Sequence, residues 1–328
     1  MDTTSQLQLE QQLREARRAE IERRVAAHNL EVDRVTSGAA RRTTLGLAPA
    51  KRPLDFLAVG DSWFDYPLND DGFYLPFHNA AIVGDSQLQA MGNPQPLVLN
   101  YAVHGQATTA MLSWENQQRI LQALTNRSTH RGSNGTTAEG ILVSAGGDDI
   151  VGDQFAIYLD YHGGGLNAAR FQGVLASVQA SYMDLFALRD IAAAEVNVDP
   201  AKIPIIGHCY DYAVPDGRPA GVGPLTFGPW LQPPLQFCGY GYDPDGLKIV
   251  KDAIDSFNKL LNDLATDKTT LAGKTTNNFI LVNTIGTLIR NATRPNGWAN
   301  EIHPYTAGFN ALANRFLVAL QKHFPGRI

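Results

Sequence analysis

From residue 54 onward, short apolar runs alternate with long helical stretches, and this alternation constrains the fold more than any other feature of the chain. The runs cover residues 54–59, 96–102, 141–145, 203–206 and 279–282. Helix-forming stretches cover residues 108–124, 168–196 and 247–265, and 306–323 follows the last run. Strands spaced by helices call for a parallel sheet with helices on both faces. The first run, Leu54–Val59, carries no charge after Asp55 and ends at Gly60, as a buried parallel strand does.

Right-handed crossovers leave few topologies for five such strands. The expected fold is a flavodoxin-like, three-layer α/β/α sandwich around a five-stranded parallel sheet. Residues 1–50 read as a helical arm and linker, and residues 51–328 as the sandwich domain. In the arm, residues 6–35 are rich in helix formers. Leu9, Leu13 and Ala16 share one face, and Ile21, Val25 and Leu30 another. This helix either packs on the domain or serves as an arm for homo-oligomerisation. Gly38, Gly46 and Pro49 mark residues 36–53 as a linker.

Residues 211–246 break the alternation. They are crowded with Pro and Gly and interleaved with aromatics, among them Trp230. A structureless loop of that length is uncommon in a compact domain, and so many aromatics argue against disorder. Following the fourth strand, the segment is expected to fold over the carboxyl-end edge of the sheet as a substrate-binding insertion.

The 328 residues carry a net charge of −5, which gives no support to nucleic-acid binding. No apolar run reaches membrane-spanning length. The first residues lead into Gln, Glu and Arg rather than an apolar signal core, so the default location is cytoplasmic, with signal-independent export left open. Cys209 and Cys238 are the two cysteines and read as free thiols. No spacing among the histidines and carboxylates matches a metal site, and Gly163-Gly164-Gly165 lacks the ending of a phosphate loop. No cofactor or metal is expected.

In open α/β sheets ligands bind outside the carboxyl ends of the strands. Four pieces of chemistry fall there. Ser62 follows Gly60-Asp61 after the first strand. Gly105 follows the second, in Asn-Tyr-Ala-Val-His-Gly. Gly146-Gly147-Asp148-Asp149 follows the third. His303, in Asn300-Glu301-Ile302-His303-Pro304, stands just before the last helix. A nucleophilic serine needs a base, a group that orients the base, and donors for the oxyanion. Trp63 and Phe64, next to Ser62, are candidates to line a substrate pocket, with Asp61, Gly147 and Trp230.

These blocks, in this order, resemble those of the SGNH hydrolases, the GDSL esterase/lipase family. The likeness runs from about residue 54 to the C-terminus. It implies that Ser62 is the nucleophile and His303 the base, with the Ser62 amide, the Gly105 amide and a side chain at position 148 forming an oxyanion hole. Gly84-Asp85-Ser86 repeats the nucleophile triplet without its aromatic flank and is rejected.

Two positions depart from the family pattern, and they do so reciprocally. Where the family has Asn in the third block, this chain has Asp148; where it has Asp before the histidine, this chain has Asn300. An ionised Asp offers acceptors only and would repel an oxyanion, unless it is protonated in a dry site. Asn300 can orient an imidazole but brings no charge; in serine proteases the Asp-to-Asn change costs about 10⁴ in turnover. Asp148 approaching His303 is an alternative source of that charge. The expected activity is hydrolysis of a carboxylic ester, of the esterase, lipase or lysophospholipase kind, on a small-molecule or lipid substrate. Deacetylation of carbohydrates is the alternative within the family. A site decayed to binding, with the N-terminal helix as interaction arm, is the alternative outside it.

Overall fold

The structure is a computed structural model. It describes residues 3–48, 51–74, 80–83, 88–126, 129–130, 137–222, 226–266, 277–289 and 297–328. The repeated triplet at 84–86 lies outside them.

In chain order the elements are α1 (Thr3–Thr44), β1 (Asp55–Gly60), α2 (Leu88–Met91), β2 (Leu97–Asn100), α3 (Thr108–Met111), α4 (Trp114–Thr125) and β3 (Gly140–Ser144). A small hairpin of β4 (Leu159–Asp160) and β5 (Gly165–Leu166) follows, then α5 (Ala168–Glu195) and β6 (Ile205–His208). The chain ends with α6 (Gln232–Phe237), α7 (Leu247–Thr266), β7 (Phe279–Val282) and α8 (Thr306–His323). The main sheet has five strands in the order β2-β1-β3-β6-β7, and each pairing is parallel. This is the flavodoxin-like order expected from the alternation.

Central strands β1 and β3 are buried along their whole length, as strands covered on both faces must be. One helical layer is α4, α5 and α7; in the other, α2 packs on α8. Phe279 meets Tyr182 and Phe186 of α5, while His208 meets Phe316 of α8, so neighbouring strands feed both layers. Gly60 is required where β1 ends: its φ is +147°, and a Cβ there would stand 2.1 Å from the Ser144 carbonyl oxygen.

Two boundaries differ from expectation. The stretch 108–124 is two helices, because the chain turns at Leu112 and Ser113. Helix α1 runs on through Gly38 to Thr44, so the helix takes up half of the expected linker. Its inward stripe is Ile21, Arg24, Val25, His28 and Val32, at helical spacing. Leu30, read as part of an apolar face, points to solvent and is 72% exposed. Two of the five inward residues are polar, which is why hydrophobic periodicity was weak. His28 Nε2 lies 3.0 Å from the Thr129 carbonyl and 3.3 Å from Asp55 Oδ1, and His130 Nδ1 lies 2.8 Å from the same Asp55 oxygen. This buried cluster ties α1 to the start of β1, at the end of the sheet remote from the strand carboxyl termini.

Candidate active site

Each of the neighbouring strands β2, β1 and β3 delivers one block to the same edge. The turn after β1 carries Asp61 and Ser62, the turn after β2 carries Gly105, and the turn after β3 carries Gly147 and Asp148. The loop before α8 brings Asn300 and His303 across to meet them. His303 Nε2 lies 2.6 Å from Ser62 Oγ. His303 Nδ1 lies 3.0 Å from Asn300 Oδ1, which also accepts the main-chain N–H groups of Ile302 and His303. The Asn300 amide nitrogen donates to the Tyr66 hydroxyl at 3.0 Å. That bond fixes which end of the amide faces the imidazole. Oδ1 can only accept, so Nδ1 carries the hydrogen and Nε2 presents its lone pair to the serine. Tyr66 also stacks on the imidazole, ring centroids 4.5 Å apart. Burial, with help from nearby His104, pushes the His303 pKa down to about 3, so the imidazole is neutral at rest.

The four blocks thus meet at one edge.

Asp61 is buried; it accepts from Ser144 Oγ at 2.6 Å, from the Trp63 amide at 3.0 Å and from the Tyr210 hydroxyl. Burial raises its pKa to about 6 against those bonds. Asp149 accepts from the amide and hydroxyl of Thr108 at 2.9 and 2.8 Å, tying the third block to the start of α3. Asp148 has no such partners: its Oδ2 is buried without a hydrogen bond. Burial first, then the charges of Asp61 and Asp149, push its pKa up to about 8. A carboxyl so placed is protonated at neutral pH and becomes a donor. Among the described residues the main-chain N–H groups of Ser62 and Gly105 donate to nothing in the chain. Gly105 reaches its turn at φ +70°, in the left-handed region.

A cavity of about 40 Å³ opens beside Ser62 and is bordered by Gly147, Asp148, Tyr210, Trp298 and Ile302. Asp61 and Trp63 also line it. Trp63 is mainly a core residue: its indole N–H donates to the Ile302 carbonyl at 3.1 Å and its ring stacks on His208. Phe64 does not line the cavity. It is fully buried between His208 and Phe316, so it is a correction to the expected pocket. Asp148 does not supply charge to His303, whose ring nitrogens are taken by Ser62 and Asn300. Trp230, from the insertion, presents its ring edgewise to His303 at 5.6 Å between centroids.

Glu301 escaped the sequence reading. It is buried, and its carboxylate accepts from the amides of Gly217, Trp230, Leu231 and Gln232. Four N–H groups of the insertion therefore converge on the residue two before His303. Its position inside the terminal block was the one available signal. Cys209 and Cys238 are both buried free thiols. The one group among the described residues with metal-ligand spacing is His28, Asp55 and His130, whose ligand atoms lie within 4.8 Å of one another. It closes on itself through the hydrogen bonds given above.

No protein-family model matches the chain, and no curated protein matches it. Among solved structures it is similar to an extracellular lipase from Streptomyces rimosus, at 14% identity over 81% of this chain and 99% of that one, TM-score 0.44. A carbohydrate acetylesterase from Sinorhizobium meliloti aligns at 13% identity over 83% and 100%, TM-score 0.44. An aryl esterase from M. smegmatis aligns at 12% over 82% and 99%, TM-score 0.44. Likeness at this level carries no residue role across; the chemistry rests on the geometry of the site. No described helix is long and apolar enough to cross a membrane.

Proposed function

We propose that the chain is a carboxylic ester hydrolase in which Ser62 is the nucleophile and His303 the general base. The observation that carries this reading is the 2.6 Å approach of His303 Nε2 to Ser62 Oγ, with Nδ1 held by Asn300. Ser62 Oγ attacks the ester carbonyl while His303 takes its proton. The carbonyl oxygen becomes an oxyanion, and the Ser62 and Gly105 amides stabilise it together with the neutral carboxyl of Asp148. Collapse expels the alcohol, which leaves with the proton from His303. Water, deprotonated by His303, then attacks the acyl-serine, and the carboxylic acid departs as Ser62 recovers its proton.

Asn300 orients the imidazole and provides no charge, so the imidazolium is stabilised less than beside an Asp. The size of the cavity favours a short acyl group. Space of about 40 Å³ beside Ser62 suits an acetyl or propionyl group and leaves the aromatic insertion to meet the alcohol part. This favours the acetylesterase branch of the reading over a long-chain lipase. Intact Ser62–His303 geometry argues against a site decayed to binding.

The test is hydrolysis of p-nitrophenyl esters of increasing acyl length by wild type and Ser62→Ala. Turnover that is greatest for the shortest esters and lost with Ser62 is the expected result. Absence of Ser62-dependent turnover on every ester, together with no labelling of Ser62 by a fluorophosphonate, overturns the reading.

A further inference from the structure

The N-terminal helix reaches the catalytic edge through one side chain. Arg24 of α1 donates from Nη1 to the Ala102 carbonyl at 3.0 Å, and it lies 3.4 Å from the Asn100 carbonyl. Its Nη2 donates to Asp65 Oδ1 at 2.6 Å. Its Nε donates to Glu20 Oε1 at 3.1 Å, one turn back on the same helix. The other oxygen of Asp65, Oδ2, accepts the His104 amide at 3.2 Å and lies 3.1 Å from His104 Nδ1. Asp65 is three residues after Ser62, and His104 immediately precedes Gly105. One guanidinium thus joins the turn after β1 to the turn after β2.

Topology makes that junction matter. β2 is an edge strand, with β1 as its one neighbour in the sheet. The turn leaving it is fixed on the β1 side by the Val103 amide, which donates to the Gly60 carbonyl at 2.9 Å. Among the described residues no strand supplies acceptors or donors on the open side, and α1 packs against β2. Arg24 is the group that takes up the β2-end carbonyls on that side. A planar guanidinium spreads its donors in a fixed fork that spans these separate acceptors, whereas an ammonium is a compact point charge.

We propose that Arg24 is a positioning residue for ester hydrolysis: through Ala102, Asp65 and His104 it holds the turn that carries the Gly105 amide, so the N-terminal helix is part of the catalytic apparatus. This rests on the function proposed above. Displacing one oxyanion donor by an ångström is enough to slow chemistry about a hundredfold, while the substrate still binds in the same cavity.

The experiment compares wild type, Arg24→Ala, Arg24→Lys and Asp65→Asn on a short p-nitrophenyl ester. Arg34→Ala, on the same helix and paired with Glu31 in solvent, is the control and keeps wild-type kinetics. Arg24→Ala is expected to lower kcat about 10- to 100-fold with KM changed less than about twofold. Phosphonylation of Ser62 slows in parallel, since it passes through the same oxyanion contacts. Added guanidinium restores part of the lost kcat, and Arg24→Lys falls between. Amide exchange at residues 101–106 quickens in Arg24→Ala. If Arg24→Ala does not fold, Arg24→Lys and Asp65→Asn carry the test, each with reduced kcat at near-normal KM.

Wild-type kcat in a folded Arg24 variant, a loss confined to KM, or unchanged exchange at 101–106 overturns the inference alone. Absence of Ser62-dependent turnover and labelling in the wild type overturns the proposed function and this inference with it.

Discussion

Asn300 holds His303 by its side-chain oxygen, 3.0 Å from Nδ1, and the amide is locked in that sense by its bond to Tyr66. An amide can fix a tautomer but cannot stabilise an imidazolium by charge. Asn300→Asp places a carboxylate where Oδ1 now stands, and the Tyr66 hydroxyl can turn to donate to it. The pKa of His303, now about 3, then rises, because an adjacent negative charge favours the protonated ring. The expected outcome is a higher kcat in Asn300→Asp and a loss of about 10²-fold in Asn300→Ala, within the usual range for a positioned base. NMR titration of the His303 ring decides the matter; an unshifted ring in Asn300→Asp contradicts the account.

Asp148 gives the site an alkaline limit. Its carboxyl holds a proton up to about pH 8, because burial and the charges of Asp61 and Asp149 oppose its ionisation. In the proposed mechanism it donates to the oxyanion below that pH, and above it would be a third negative charge beside one. Activity therefore falls as pH rises through about 8 in the wild type. Asn donates at every pH, so Asp148→Asn keeps activity and loses the alkaline limb, while Asp148→Ala loses about 10²-fold. Stability follows the same sign. A carboxyl whose folded pKa is raised above its ordinary 3.8 keeps its proton in the fold alone, so stability drops as pH climbs from about 4 to about 8. The melting-temperature gap between Asp148→Asn and wild type should widen across that window. A parallel pair of melting curves at all pH values argues against a buried proton.

The sheet was legible in the sequence because five apolar runs with helical spacers admit few topologies, and the observed order is the one those rules select. Three of the four blocks were legible because each sits at a strand end, where backbone geometry puts it whatever the side chains do, and the fourth because it directly precedes the last helix. Phe64 was misread because the turn after β1 leaves the cavity between Trp63 and Phe64, and sequence does not say where that happens. Arg24 and Glu301 were invisible for another reason. Each acts through main-chain carbonyls or amides, and a main-chain acceptor leaves no residue-type signature. His28 and His130 were separated from Asp55 by 27 and 75 residues, so no local spacing announced their meeting.

Asp55 makes the clamp between α1 and β1 acid-labile. Burial opposes its charge, but His130 and His28 outweigh that and hold its carboxyl well below the usual range. A carboxylate with a lowered folded pKa contributes stability that is present above its unfolded pKa and lost as pH falls through the folded one. Wild type should therefore lose stability below about pH 4, and Asp55→Asn should start less stable at pH 7 by about 3 kcal/mol or more, because the histidines lose a buried charged partner. Its further loss on acidification should be smaller. Urea unfolding at pH 7 and pH 3.5 measures both, and equal acid losses in the two proteins would exclude Asp55 as the source.

Glu301 couples the insertion to the histidine loop. Its carboxylate takes four main-chain N–H groups from residues 217 and 230–232, and hydrogen bonds to a charged group contribute about 1.5–3 kcal/mol each when one partner is removed. Glu301→Ala leaves four donors, that of Leu231 buried and the others half-buried, without an acceptor. The insertion is then expected to loosen locally before the sheet unfolds, because these four bonds hold it to the histidine loop rather than to a strand. Limited proteolysis should cut between residues 215 and 232 in Glu301→Ala under conditions where wild type resists. Glu301→Gln, with one acceptor oxygen in place of two, should lie between. Trp230 leaves its edgewise contact with His303 in the same step, so tryptophan fluorescence should shift toward the solvent-exposed value alongside the cleavage. Cleavage without that shift would mean that the segment opens on the Gly217 side alone, with Trp230 held by its carbonyl, which accepts the Gly152 amide at 3.1 Å.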